Sequence, residues 1–259
     1  MSLLSVRGLA VHFGAVHACD GVDIEVEPGE LLGIVGPNGS GKTTLFRAIC
    51  GDVHVTSGEV QWLGRNIAGW STDRIARAGL VRTFQQSMVF PSVSVRENVR
   101  MAAACAREAW RDRRSASPLR RLPDDADELL EFAGIADVAD DPAGALPTGL
   151  LRIIGITLGL VTKPVMFLLD EPAAGLNEDE SARLAALLRR VHATGVTLVV
   201  VDHDMSFILP LCRRLIVLDC GRKLADGEPY SVCEQEEVIS VYLGARFAAG
   251  KAGAAGRTS

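Results

Sequence analysis

Apolar and polar residues are patterned in two ways along this 259-residue chain. Short continuous apolar runs, as in strands covered on both faces, occur at Leu31–Val35, Val165–Leu169 and Val196–Val201. Further strands are expected at Leu3–Val11, Val22–Val26, Val60–Leu63, Leu80–Thr83, Leu215–Leu218 and Arg222–Ala225. Between the last two buried runs, Glu178–His192 carries Leu184, Leu187, Leu188 and Val191 on one stripe, the spacing of an amphipathic helix. Asn177 is its expected N-cap, and Glu178, Asp179 and Glu180 suit the positive end of its dipole. Strand–helix–strand order predicts an α/β fold around a largely parallel sheet with crossover helices.

The middle third is patterned differently. From Ser94 to about Leu160 the spacing is mostly helical, which predicts a helical insert (about 94–162) between the two halves of the sheet. An Arg-rich connector (Arg107, Arg111, Arg113, Arg114, Arg120, Arg121) interrupts it, and either a partner, anionic lipid or plain solvent suits such a face. Ile153–Thr162 is the most membrane-like stretch. Arg152 and Lys163-Pro164 bound it well short of the ~18 apolar residues of a spanning helix. A buried helix is expected there, so membrane association would come through a partner. Met1–Phe13 alternates like a strand and shows no cleavage site, so no signal peptide is expected. The tail 245–259 is Ala/Gly-rich and is expected to be disordered.

The chemistry concentrates at three strand ends. After Leu31–Val35 comes Gly36-Pro37-Asn38-Gly39-Ser40-Gly41-Lys42-Thr43-Thr44, a complete G-x-x-x-x-G-K-[ST] loop, and Leu45–Cys50 continues as helix. Glycines let backbone N–H groups close on phosphate oxygens, and the helix N-terminus adds positive charge. Lys42 reaches the outer phosphates and the Thr43 hydroxyl is a ligand for Mg2+. The chain is therefore expected to bind a nucleoside triphosphate. The second strand ends in Asp170-Glu171. Beside a phosphate loop, Asp170 would hold Mg2+, directly or through water, and Glu171 would polarise the attacking water. The third runs into Asp202-His203-Asp204. A lone strand-end histidine more often caps or sits in a core. Next to a nucleotide site it suits sensing of the terminal phosphate, sharing the transition state with Glu171.

Composition narrows the classes. The net charge of −5 argues against a duplex-binding protein. Charged residues at 23% and apolar ones at 48% are ordinary for a globular chain with one sizeable core. Six scattered cysteines with no C-x-x-C pair point to reduced core thiols in a cytoplasmic protein, not a disulfide frame or metal site.

These elements, in this order, resemble the ATPase subunit of ABC transporters from Leu3 to about Gly244. The resemblance implies a P-loop NTPase fold of the ABC type. Its parts would be a mixed or parallel sheet core, N-terminal antiparallel strands and the inserted helical subdomain, all in one domain over 1–244. It further implies that Phe13 stacks on adenine and that Gln85, in Arg82-Thr83-Phe84-Gln85, contacts Mg2+ and relays to the membrane subunit. Glu171 would be the catalytic carboxylate and His203 the switch histidine, with Ala174-Gly175-Leu176-Asn177 at the D-loop position. Within the family, Arg82–Gln85, Glu171–Asn177, His203-Asp204-Met205 and Val238–Gly244 are most similar to ATPases that energise branched-chain amino-acid uptake. Urea and short-amide importers share much of the pattern.

One departure stands out. Where the family has a signature close to Leu-Ser-Gly-Gly-Gln, this chain has Leu146-Pro147-Thr148-Gly149-Leu150. In the family each signature completes the partner's site, so the resemblance implies an asymmetric heterodimer. A second ATPase with an intact signature would complete this chain's own site. Permease subunits, and indirectly an extracytoplasmic solute-binding protein, would complete the assembly at the cytoplasmic face of the plasma membrane, with no nucleic acid. Two other classes fit less well: a regulatory subunit that closes but barely hydrolyses, and a soluble ATPase acting on nucleic acid or ribosomes. Intact Glu171 and His203 argue against the first. The second generally needs a further ATPase domain, a coiled coil or a basic surface, which this sequence does not show.

Overall fold

The computed structural model describes residues 2–83, 89–109 and 122–242. Gln85, most of the Arg-rich connector and the expected disordered tail 245–259 lie outside the described residues.

Two sheets form. Strands β1 (Leu4–Phe13), β2 (Val16–Val26), β4 (Ser57–Trp62) and β5 (Arg65–Asn66) make an antiparallel sheet in the order β2-β1-β4-β5. The second sheet contains β3 (Leu31–Val35), β6 (Leu80–Arg82), β7 (Met166–Asp170), β8 (Thr197–Val201), β9 (Arg214–Asp219) and β10 (Arg222–Gly227). Its order is β10-β9-β3-β8-β7-β6, parallel throughout except for β10, which runs antiparallel to β9.

Every residue of β3, β7 and β8 is buried, as their apolar runs require. Successive side chains on a strand point to opposite faces, and here the two faces feed two separate cores. Leu32, Ile34, Met166, Leu168, Val199 and Val201 join the antiparallel sheet and α1 (Lys42–Ile49). Leu31, Val35, Phe167, Leu169, Leu198 and Val200 join the helices on the far side. Those helices include α5 (Thr148–Leu160) and α6 (Glu178–Ala193). In α6 the stripe of Leu184, Leu187, Leu188 and Val191 is buried. Its start has a full capping box: Asn177 Oδ1 accepts from Glu180 N at 2.9 Å, and Glu180 Oε2 accepts from Asn177 N at 3.0 Å. Such a cap contributes about 1 kcal/mol. Among the described residues, α3 (Val95–Ala109), α4 (Ala126–Ala133) and α5 lie between β6 and β7 in the chain. No helix among the described residues is long and apolar enough to cross a membrane.

Some expectations are corrected. β2 begins at Val16, six residues before the alternation becomes visible, because only Cys19 among residues 16–21 is buried and the segment is held by pairing with β1. The two exposed residues of β5 leave no apolar trace. The thiols are free, but only Cys19, Cys50 and Cys212 are core residues. Cys233 is half-buried, while Cys105 on α3 and Cys220 in the β9–β10 turn are exposed.

Candidate nucleotide site

Strand register sets the site. Ile34 pairs with Val201, and Val201 pairs with Asp170, so β3, β8 and β7 end in one row. Whatever follows them meets at the carboxyl edge of the sheet, where ligands of open α/β folds bind. Residues 36–44 follow β3, Glu171 follows β7, and Asp202-His203 follow β8.

The phosphate loop turns tightly against its neighbours. Gly41 has φ +100°, and a Cβ there would fall 2.3 Å from the carbonyl oxygen of Ala18. A Cβ on Gly36 would fall 2.1 Å from the Leu218 carbonyl oxygen. Ser40 N donates to Pro37 O at 3.1 Å, and Gly221 N to Ser40 O at 3.0 Å, pinning the loop to the β9–β10 turn. Helix α1 starts at Lys42 with no side-chain cap and no acidic residue in its first turn, so its positive end is left for an anion. Thr43 and Thr44 are half-buried there, while Asn38 and Gly39 are exposed at the tip of the loop.

Lys42 is buried, and its Nζ donates to Gly36 O at 2.8 Å and Pro37 O at 2.9 Å, with Ser40 Oγ at 3.4 Å. Burial pushes its ammonium below the usual lysine range, while Glu171, Asp170 and Asp202 pull the other way. The lysine thus lies within the field of three carboxylates.

Asp170 is 1% exposed. Its Oδ2 accepts from Arg82 Nη2 at 2.8 Å, and its backbone N–H donates to Thr83 Oγ1 at 3.4 Å. Its Oδ1 is buried without a hydrogen-bond partner. An orphaned carboxylate oxygen is costly, and a hard dication such as Mg2+ is the kind of group that satisfies one. Asp170 therefore fits Mg2+, and Thr43 in the first turn of α1 is the hydroxyl that the loop offers.

Glu171 takes a left-handed backbone, φ +47°, with its N–H donating to Val201 O at 2.8 Å. Strain of this kind gathers at functional sites. The carboxylate is 30% exposed, and Oε1 lies 3.9 Å from His203 Nδ1, facing it without a hydrogen bond. His203 is 57% exposed, so it stands at the rim.

Two residues without a sequence-assigned role organise this edge. Asp202 is fully buried. Its Oδ1 accepts from His203 N (2.8 Å) and Asp204 N (3.1 Å), and its Oδ2 from Ala173 N (3.1 Å). It thereby ties the loop carrying His203 to the loop carrying Glu171. Arg82 spans Asp170 and Asp52, with Nη1 2.9 Å from Asp52 Oδ2. The available signal was a charged residue at the end of β6 and just after β8, but the partner that each grips across the edge lies far away in sequence.

Phe13 ends β1, pairs with Val16 and is 52% exposed, an apolar ring open to solvent. Pro147 caps α5 without a side-chain hydrogen bond and is exposed, as is Thr148. Gly149 is buried against Glu180, whose Oε1 would lie 2.4 Å from an added Cβ. Leu150 is half-buried and packs on the core. These four lie at the start of α5, not among the residues that converge on Lys42.

Comparison with known proteins agrees with this geometry. A family model described as ABC transporter matches residues 19–174. The high-affinity branched-chain amino acid transport ATP-binding protein BraF of Pseudomonas aeruginosa is 34% identical over 252 residues, covering 93% of this chain and 98% of its own. The protein of the same description in Escherichia coli (strain K12), LivG, is 35% identical over 251 residues, with the same coverage of both chains. The crystal structure of the ADP conformation of MJ1267, an ATP-binding cassette of an ABC transporter, superposes with a TM-score of 0.82 at 28% identity. That match covers 94% of this chain and 99% of the other. With the phosphate loop, paired strand-end carboxylates and rim histidine at one sheet edge, the chain belongs to the ABC transporter family and is an ATPase subunit of such a transporter.

Proposed function

We propose that this chain hydrolyses ATP to drive an importer of branched-chain or related amino acids. The observation that carries the solute class is the likeness to BraF and LivG over 93% of the chain. ATP stacks on Phe13 and lays its phosphates in residues 36–44. Lys42 exchanges its loop carbonyls for phosphate oxygens. Thr43, Asp170 and Gln85 would hold Mg2+, which would supply neutralisation of the phosphate charge. Glu171 orients water for in-line attack on the terminal phosphoryl group, and His203 stabilises the developing charge.

The chain works beside membrane permease subunits at the cytoplasmic face, with Gln85 and the helical insert (about 94–162) as the relay. Its partner ATPase is a different subunit with an intact signature. Pro147 offers no hydroxyl, and Leu150 packs against the core instead of presenting a hydrogen-bonding group, which supports a weak reciprocal site. Two lost charge-assisted contacts cost roughly 1.5–3 kcal/mol each.

Affinity purification from gently solubilised native membranes tests this reading. Copurification of two permease chains and a second ATPase is expected, and the associated binding protein should take branched-chain amino acids. A chain recovered without a permease would overturn it. Pro147→Ser with Leu150→Gln should raise turnover of the assembled complex, and an unchanged rate would remove the asymmetry from the proposal.

A further inference from the structure

His12 and His17 face each other across the β1–β2 ladder. The ladder slips here, since Val11 pairs with Cys19 but His12 pairs with His17, leaving Ala18 as an extra residue on β2. In a regular strand His17 and Asp20, three apart, would point to opposite faces. The bulge returns them to one face. The two imidazole rings stack with centroids 3.9 Å apart and planes 20° apart, so a shared metal requires one ring to turn out of the stack about its χ2. One ligand atom from each of His12, His17 and Asp20 lies within 4.8 Å of the other two.

A further observation points to a ligand. Nε2 of His12 is buried with no hydrogen-bond partner, although buried polar atoms are normally satisfied. Arg222 Nη2 and Nε both approach Asp20 Oδ2, at 2.6 and 3.0 Å, and neither bonds Oδ1.

We propose that His12, His17 and Asp20 bind a first-row transition dication of the Zn2+ class. Two imidazoles and one carboxylate suit such a metal and leave a fourth position open. Mg2+ favours all-oxygen sites and does not compete. The position is distinct from the Mg2+ position at Asp170 and does not depend on the transported solute. A bound metal cross-links the hairpin immediately before Phe13. It also braces Asp20, whose backbone N–H donates to Gly221 O at 2.8 Å beside the phosphate loop. The metal thereby clamps the strand pair that carries the exposed ring.

The test is calorimetric titration of the full-length, tag-free protein with Zn2+ in excess Mg2+. His12→Gln, His17→Ala and Asp20→Asn are run alongside, with circular dichroism confirming that each is folded. The expected result is one Zn2+ per chain and an affinity lowered about tenfold or more in each variant. Co2+ should give a tetrahedral visible spectrum without a sulfur-to-metal charge-transfer band. Absence of saturable binding to the wild type, unchanged affinity in any variant, or a thiolate band from cysteine capture would each overturn the proposal.

Discussion

Arg82 Nη2 lies 2.8 Å from Asp170 Oδ2, joining the ends of β6 and β7 across the edge where nucleotide chemistry is expected. A second nitrogen, Nη1, is fixed by Asp52, so the fork has a defined orientation. The arginine holds one oxygen of Asp170 and leaves Oδ1 unpartnered. It also ends the strand that leads toward Gln85.

Removing Arg82 would strand a buried carboxylate. Arg82→Ala is expected to lower unfolding free energy by about 3 kcal/mol in urea melts. Arg82→Lys keeps the charge but loses the two-way fork, so it should fall between. An alanine variant within about 0.5 kcal/mol of wild type would mean that Asp170 is satisfied without the arginine.

Lys42 gives the site a pH signature. Its folded pKa is depressed by burial, so the folded protein holds this proton more weakly than the unfolded chain does. Burial of the charged amine therefore costs stability at neutral pH. The cost fades as pH rises from the folded pKa toward the ordinary value of 10.5. ATP affinity, which needs the ammonium, should fall over that same alkaline window. Lys42→Arg, whose charge persists, should lack the decline in nucleotide titrations from neutral to alkaline pH.

Asp202→Asn replaces an acceptor-only carboxylate with an amide that cannot satisfy three backbone N–H groups as well. A loss of about 1–3 kcal/mol in stability is expected. The loops carrying Glu171 and His203 would separate, so turnover should fall while ATP affinity is kept. Turnover unchanged from wild type would assign Asp202 to folding alone.

The cysteines should sort by exposure. Burial pushes Cys50 and Cys212 up to about 12 and Cys19 to about 11, so their thiols resist modification in the native state. Cys105 should label fastest. Cys220 should follow, since Asp219 beside it raises its pKa. Mass spectrometry after brief treatment with a thiol reagent checks the order, and early labelling of Cys50 would contradict the packing around β6 and α1.

What the sequence made legible was local. The phosphate loop, Asp170-Glu171 and Asp202-His203 each follow a continuous apolar run, so the strand and its chemistry could be read together. The expected strand Leu31–Val35 coincides with the one observed, most other bounds shift by a residue or two, and β4 starts three residues earlier than expected. The start of β2 and all of β5 were not legible, because exposed edge residues carry no apolar signal. Nor were the grips of Arg82 on Asp170 and of Asp202 on Ala173. Each joins segments far apart in sequence, 88 residues for the first pair and 29 for the second. The β1–β2 bulge that brings together His12, His17 and Asp20 is likewise a product of pairing register, which no single strand reveals.

The central claim is that Glu171 directs water onto the terminal phosphoryl group of an ATP held by Lys42 and the loop around it. Single-turnover phosphate release by the assembled complex, with ATP binding followed in the same preparation, tests this most directly. Glu171→Gln should keep ATP affinity and slow phosphate release by about 10²–10⁴-fold. Release at the wild-type rate would contradict the assignment of that carboxylate and the mechanism built on it.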